Sequence, residues 1–264
     1  GSNLDILAGG PPCQGYSALG IRRSYSVDKK DLPSNQLYAR MASIIEELRP
    51  RIFLFENVRG LLNAKWRKDG KELIFPDVLS RFSSIKGYEV RWSLVYAKDY
   101  GVPQNRPRVL LVGIRKDIVS ASQLIKLNKG IDAVSSGFLP LGVKGDFPDI
   151  SDLLGDLVDD QIMEKYLTSQ FPKGKLETTK YPRDPQTNMQ RILREPAYKF
   201  DENPTLLTEQ EYSKHNKRII EKFIYMQANN GRINDKHKTK KFSQRLLPAQ
   251  WGNGEPTITA TSLP

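Results

Sequence analysis

The chain holds one cysteine in 264 residues, and it lies in the run Gly9-Gly10-Pro11-Pro12-Cys13-Gln14-Gly15-Tyr16-Ser17. A lone cysteine is ordinarily a small buried hydrophobe, but two glycines and two prolines end a strand and stiffen a turn, which no core cysteine requires. The thiol is therefore presented by a loop, where it can serve as a nucleophile. At an ordinary thiol pKa of about 8.5, only a few per cent is thiolate near neutrality. Free backbone N–H groups in a rigid turn, with Arg22 and Arg23 nearby, would raise that fraction. Two further groups stand at the ends of apolar runs: Glu56-Asn57, and the cluster Gln104, Arg106 and Arg108. A carboxyl group can move a proton, and a guanidinium fork stays charged while donating in two directions. A cysteine protease would need a histidine by the thiol, and neither His215 nor His237 lies near these groups in sequence.

The elements around them alternate. Leu4 to Ala8 reads as a short buried strand. Leu37, Met41, Ile44, Ile45 and Leu48 recur at helical spacing until Pro50, and Ile52 to Phe55 is a second strand. Phe75, Val78, Leu79, Phe82 and Ile85 mark a second helix stopped by Gly87. Val90, Trp92 and Leu94 alternate in a third strand, and Arg108 to Ile114 forms a fourth. This is the pattern of an α/β fold with an open, mostly parallel sheet. Ligands of such sheets bind outside the carboxyl ends of the strands. Cys13 and Glu56 both follow strand ends, and an antiparallel pairing of the last two strands would carry Gln104, Arg106 and Arg108 to the same edge. Beyond residue 115 the alternation fades, apart from a helix expected from about Glu211 to Met226. Residues 4–115 are thus expected as the catalytic α/β domain and residues 116–264 as a smaller, irregular region.

Composition narrows the partners. A net charge of +11 and a pI near 9.6 favour a polyanion, most simply nucleic acid. The bases are concentrated: Lys214, Lys217, Arg218, Lys222, Arg232, Lys236, Lys238, Lys240, Lys241 and Arg245 meet only Glu221 and Asp235. Asp146 to Glu164 is acidic by contrast. One cysteine excludes internal disulfides and multi-cysteine metal sites, so neither disulfide nor metal is expected. No apolar run reaches the length of a membrane span, and no signal peptide is evident, so the chain reads as intracellular with no membrane partner.

Gly10-Pro11-Pro12-Cys13-Gln14, Phe55-Glu56-Asn57-Val58 and Gln104-Asn105-Arg106-Pro107-Arg108 together resemble, in order, three core motifs of the cytosine-C5 DNA methyltransferases of bacterial modification type. The resemblance implies a partial Rossmann-like methyltransferase sheet, followed by a target-recognition region. Pro256 to Ser262 is similar to the segment that returns from that region. It further implies methyl transfer from S-adenosylmethionine to C5 of a flipped cytosine in double-stranded DNA, through a covalent bond between Cys13 and C6. In that scheme Glu56 is the acid near N3, its pKa raised by burial, and Arg108 binds O2 and braces the acid. Arg106 supports the phosphate backbone and the catalytic loop, and Asn57 orients Pro12 or the loop backbone. Pro11 and Pro12 would touch the cofactor, while Gln14, Ser17, Arg22, Arg23 and Gln104 would contact DNA. Residues 17–32 are expected as a polar loop closing over the duplex. The place of work implied is the bacterial cytoplasm, on the nucleoid.

The chain also departs from the family pattern. The upstream glycine loop and ribose-binding acid are missing, as are the final motifs, so the S-adenosylmethionine pocket is expected to be at best half present. Three explanations stay open: a fragment or deleted form, one subunit of a split enzyme with a complementing chain, or segments lying outside this sequence. Little activity is expected of the chain alone. Two other functions compete: a tRNA cytosine-C5 methyltransferase, and a catalytically silent DNA-binding subunit. The long region after residue 115 argues against the first, and the joint presence of Cys13, Glu56 and Arg108 against the second.

Overall fold

In the computed structural model, the structure describes residues 4–12, 33–67, 70–102, 104, 106–121, 130–143, 150–167, 176–200, 205–208, 210–212, 215–229 and 231–238. Contacts divide the chain into two units, Gly1–Val102 with Arg106–Gly145, and Pro103–Asn105 with Asp146–Pro264.

The first unit is built on a four-stranded sheet of β1 (Ile6–Gly9), β2 (Ile52–Val58), β3 (Tyr88–Tyr96) and β4 (Pro107–Arg115), in the order β1-β2-β4-β3. β1 pairs with β2 in parallel, while β4 is antiparallel to both β2 and β3. Three strands therefore run one way and β4 alone runs back, giving in part the open α/β sheet expected, with one parallel and two antiparallel pairings. Between the strands come α1 (Leu37–Leu48) and α2 (Ile74–Ser83). α1 ends where Arg49 takes a left-handed conformation at φ 50°, its N–H bonded to Ile45 O, and Pro50 prevents continuation. α2 stops at Ser83, short of the expected Ile85, and the chain then reverses at Gly87, φ 85°.

β2 buries alternate residues against these helices, so Phe53, Phe55 and Asn57 face one side while Ile52, Leu54, Glu56 and Val58 face the other. Phe53 and Phe55 meet Phe82 of α2 with ring centroids 5.6 and 5.1 Å away, and Phe53 also meets Tyr88 at 5.3 Å. Each such fully buried ring contributes roughly 1.5–3 kcal/mol through burial. Gly113 is the register partner of Phe53, and a Cβ there would lie 2.0 Å from the ring. The opposite face is covered by Val119 of α3 (Lys116–Ala121) with Ala133 and Phe138, packed with Val112, Ile114, Ile52 and Leu54. Trp92 N and Ala133 N donate to the carbonyls of Ile131 and Trp92 respectively, so the first unit continues past the composition change at residue 115.

The second unit contains α4 (Ile150–Leu154), α5 (Asp160–Leu167), α6 (Asn188–Phe200) and α7 (Lys217–Ala228). α7 begins at Lys217 and not near Glu211, because Asn216 caps it by accepting from Ile219 N at 3.1 Å. Glu211 lies instead in an isolated antiparallel bridge to Glu177. α6 opens on a capping box: Thr187 Oγ1 accepts from Gln190 N at 3.2 Å, and Gln190 Oε1 accepts from Thr187 N at 3.2 Å. The acidic stretch is not all solvated. Asp156 and Arg194 are buried together, with Arg194 Nε donating to Asp156 Oδ2 at 2.8 Å and Nη2 to Arg183 O at 2.7 Å. Lys222, from the basic run, is likewise buried.

Candidate active site

Glu56 and Arg108 reach the same sheet edge from strands of opposite direction. In the β2–β4 ladder Glu56 faces Leu110 and Val58 faces Arg108, which sets Glu56 and Arg108 diagonally on one face. Arg108 Nε makes an ion pair with Glu56 Oε1, while Nη1 donates to Pro107 O at 2.8 Å. The Arg108 side chain is 18% exposed and that of Glu56 40%, so the pair is open on the carboxylate side. Solvent screening limits what such a pair adds to stability, and its effect is orientation of the carboxyl plane.

The other side of Glu56 is bounded by the exit of β1. Gly9 is the parallel partner of Phe55, which brings Gly10 alongside Glu56. A Cβ on Gly10 would lie 2.7 Å from Glu56 Oε2. One residue on, Asn57 points to the opposite face of β2 and is buried. Its Nδ2 donates to Pro11 O at 3.2 Å, while its Oδ1 accepts from Val58 N at 3.0 Å. The expectation that Asn57 orients the loop backbone is met at Pro11, the second residue before Cys13. α1 supports the same turn, since a Cβ on Gly9 would meet Met41 Sδ at 3.1 Å.

Pro11 and Pro12 line a small, partly open hollow with Asn35, Tyr38, Phe55, Asn57, Leu61 and Val78. Burial pushes the Tyr38 phenol up, and the nearby Asp77 carboxylate adds to the rise, so its hydroxyl stays uncharged. Its apolar and aromatic walls are of the kind against which a heteroaromatic ring stacks, and they offer no counter-charge to a sulfonium.

The loop joining β3 to β4 is held at its base. Ala97 N donates to Arg106 O at 3.1 Å, and Val143 N donates to Asp99 O at 2.6 Å. Arg106 is half-buried beside Pro107. Gln104 groups with the second unit through Pro103–Asn105. Cys13, Gln14, Ser17, Arg22 and Arg23 lie outside the described residues. The sheet thus brings together Glu56, Arg108, Pro11 and Pro12 of the expected set, and it adds Gly10, whose proximity to Glu56 no local pattern announces. Among the described residues, no group of three or more histidine, cysteine, aspartate or glutamate side chains could hold a metal ion. Among them too, no helix is long and apolar enough to cross a membrane.

The family model for C-5 cytosine-specific DNA methylase matches residues 1–252. The chain belongs to that family. Among curated members of known name, it is 31% identical over 198 residues to the type II methyltransferase M.AgeI of Thalassovita gelatinovora, covering 72% of this chain and 41% of that one. It is 29% identical over 182 residues to the orphan methyltransferase M.Rho11sI of Bacillus phage rho11s, covering 66% and 34%. Against the type II methyltransferase M.Sau96I of Staphylococcus aureus it is 37% identical over 116 residues, covering 44% and 24%. This C5 methylase chain thus matches between about a quarter and two fifths of the length of these relatives.

Proposed function

We propose that the chain carries out the base chemistry of a DNA (cytosine-5-)-methyltransferase. The observation that supports this reading most is the Glu56 carboxylate, held by Arg108 at the edge where β1 runs into Gly10-Pro11-Pro12-Cys13. A cytosine within a duplex hides C5 and C6, so the target base is taken out of the stack, at a cost of a few kcal/mol. Cys13 adds its thiolate sulfur to C6, and the electron pair of the C5=C6 bond becomes available at C5. Glu56, entering the step as the carboxylic acid, passes its proton to N3 as that nitrogen turns basic, which prevents charge from accumulating on the ring. Arg108, with Nε on Glu56 and Nη1 on Pro107 O, is assigned to the base O2 through its remaining Nη2. S-adenosylmethionine would supply an electrophilic methyl group to C5 and depart as S-adenosylhomocysteine, and Pro11 and Pro12 would form part of its seat. Loss of the C5 proton to solvent then expels the Cys13 thiolate, restores the double bond and returns the N3 proton to Glu56.

Arg106 is assigned to the phosphate backbone and the loop, and Gln14, Ser17, Arg22, Arg23 and Gln104 to DNA contacts. The second unit is assigned to target recognition, its exposed bases Arg218, Lys236 and Lys238 supplying phosphate contacts. Membership of the DNA methylase family favours duplex DNA over tRNA as substrate. Labelled methyl transfer from S-adenosylmethionine to unmodified genomic DNA, with tRNA as competitor, tests the reading. Transfer to DNA that disappears in Cys13→Ser and Glu56→Gln is expected. Transfer that survives Cys13→Ser, or that goes only to tRNA, would refute it.

A further inference from the structure

We infer that Gly10 is a positioning residue for the acid: its missing side chain reserves the seat of the Glu56 carboxylate beside Arg108. Glu56 of β2 lies between Gly10, the residue that follows β1, and Arg108 of β4, its diagonal neighbour. Arg108 draws Oε1 to one side. On the other side Oε2 lies over Gly10, where an alanine Cβ would stand 2.7 Å from it, 3.8 Å from Cδ and 3.6 Å from the Glu56 carbonyl oxygen. A carbon-to-oxygen approach of 2.7 Å is well inside van der Waals contact, so one of the two groups must move. The backbone of β2 is locked in ladders on both sides. The Glu56 carboxyl, the flexible end of its side chain, is the part that gives way, and its shift changes the geometry it makes with Arg108.

The requirement at Gly10 is steric and not conformational. Its backbone does not lie in the left-handed region, unlike Gly87 or Gly101. Gly9 makes a useful contrast, because a Cβ there meets the flexible thioether of Met41 at 3.1 Å and touches no part of Glu56. Alanine at position 9 disturbs packing under the turn, whereas alanine at position 10 disturbs the acid.

This role presupposes the methyl-transfer reading given above, and the wild-type protein separates the two. With labelled S-adenosylmethionine and unmodified genomic DNA, absence of transfer by the wild type refutes that reading. Given wild-type transfer, Gly10→Ala is expected to lower single-turnover methylation by about tenfold to a hundredfold, as displacement of a reacting group by an ångström does. KM for DNA should stay within about twofold, since uniform binding is not touched. In a Glu56→Asp background the shorter carboxyl leaves the seat empty, so adding Gly10→Ala should cost nothing further. A crystal structure of Gly10→Ala should show Glu56 turned away from Arg108. Equal losses in both backgrounds, wild-type rates in Gly10→Ala, or a Glu56 carboxylate still on Arg108 in that crystal would each overturn the inference.

Discussion

The side-chain amide of Asn57 donates to the carbonyl of Pro11 at 3.2 Å, joining the end of β2 to the segment that leaves β1. Glu56 and Asn57 are neighbours in sequence and face opposite sides of β2. One strand end thus presents the Glu56 carboxyl on one face and a tether for the segment after β1 on the other. Replacing Asn57 by Ala removes the partner of Pro11 O and of Val58 N. The expected cost is about 1–3 kcal/mol of stability, from groups left unpaired in a part-buried place. Methyl transfer should fall further than that loss of folded protein explains. Urea unfolding beside single-turnover methylation measures both, and full activity in the variant would show that the tether is dispensable.

Gly113 carries the weight of the aromatic cluster. A Cβ at that position would stand 2.0 Å from Phe53 Cε1, and Phe53 is fully buried against Phe82 and Tyr88. Gly113→Ala is expected to destabilise the first unit by about 1–3 kcal/mol or more, the range for overpacked cores. A double variant with Phe53→Leu should recover part of the loss. Thermal unfolding of the single and double variants gives the answer, and a single variant as stable as the wild type would contradict the packing described.

Arg194 and Asp156 are both 4% exposed in their side chains, and Arg194 also stacks 3.7 Å over the Tyr181 ring. Removing one partner leaves a charge buried without its counterpart, at a cost of about 3–5 kcal/mol. Arg194→Met should therefore unfold the second unit at markedly lower denaturant concentration. Arg194→Met combined with Asp156→Leu should be the more stable of the two. If the single variant matched the wild type, the pair would have to be solvated in solution.

Acid should weaken the second unit before it affects the carboxylates. Burial holds the His237 imidazole below the ordinary histidine range, and Lys236, Arg218 and Lys222 push the same way against Glu221. His215 is lowered by burial first and by Lys222 second. Below the unfolded histidine pKa of about 6.5, the unfolded chain takes up protons that the folded chain refuses. Stability is therefore full above that pH and declines as pH falls towards the depressed folded values. The denaturation midpoint of the second unit should drop between about pH 7.5 and 5.5, and His237→Gln should flatten the slope. A midpoint that is constant or rises over that interval would refute the assignment.

Much of the first unit was readable from local pattern. The strand of β2 and the helix of α1 each depend on spacing and breakers within a short window, and they stand where apolar periodicity and Pro50 put them. α6 escaped because Pro196 interrupts its pattern, although Thr187 and Gln190 at capping-box spacing announced its start. The reading of α7 began too early because residues 211–216 are polar enough to pass for a first turn, and only the cap at Asn216 separates them.

The residue types alone establish an acid at one strand end, a thiol after another and a basic run further on, because those features are written within single segments. They do not establish which segments touch. Insertion of β4 between β2 and β3 sets Arg108 against Glu56, and the parallel register of β1 sets Gly10 under the carboxylate. The burial of Asp156, Arg194 and Lys222 follows likewise from packing between elements distant in sequence. Strand order and burial are non-local, since each depends on chain segments far apart in sequence competing for the same surface, and no window of sequence contains that competition.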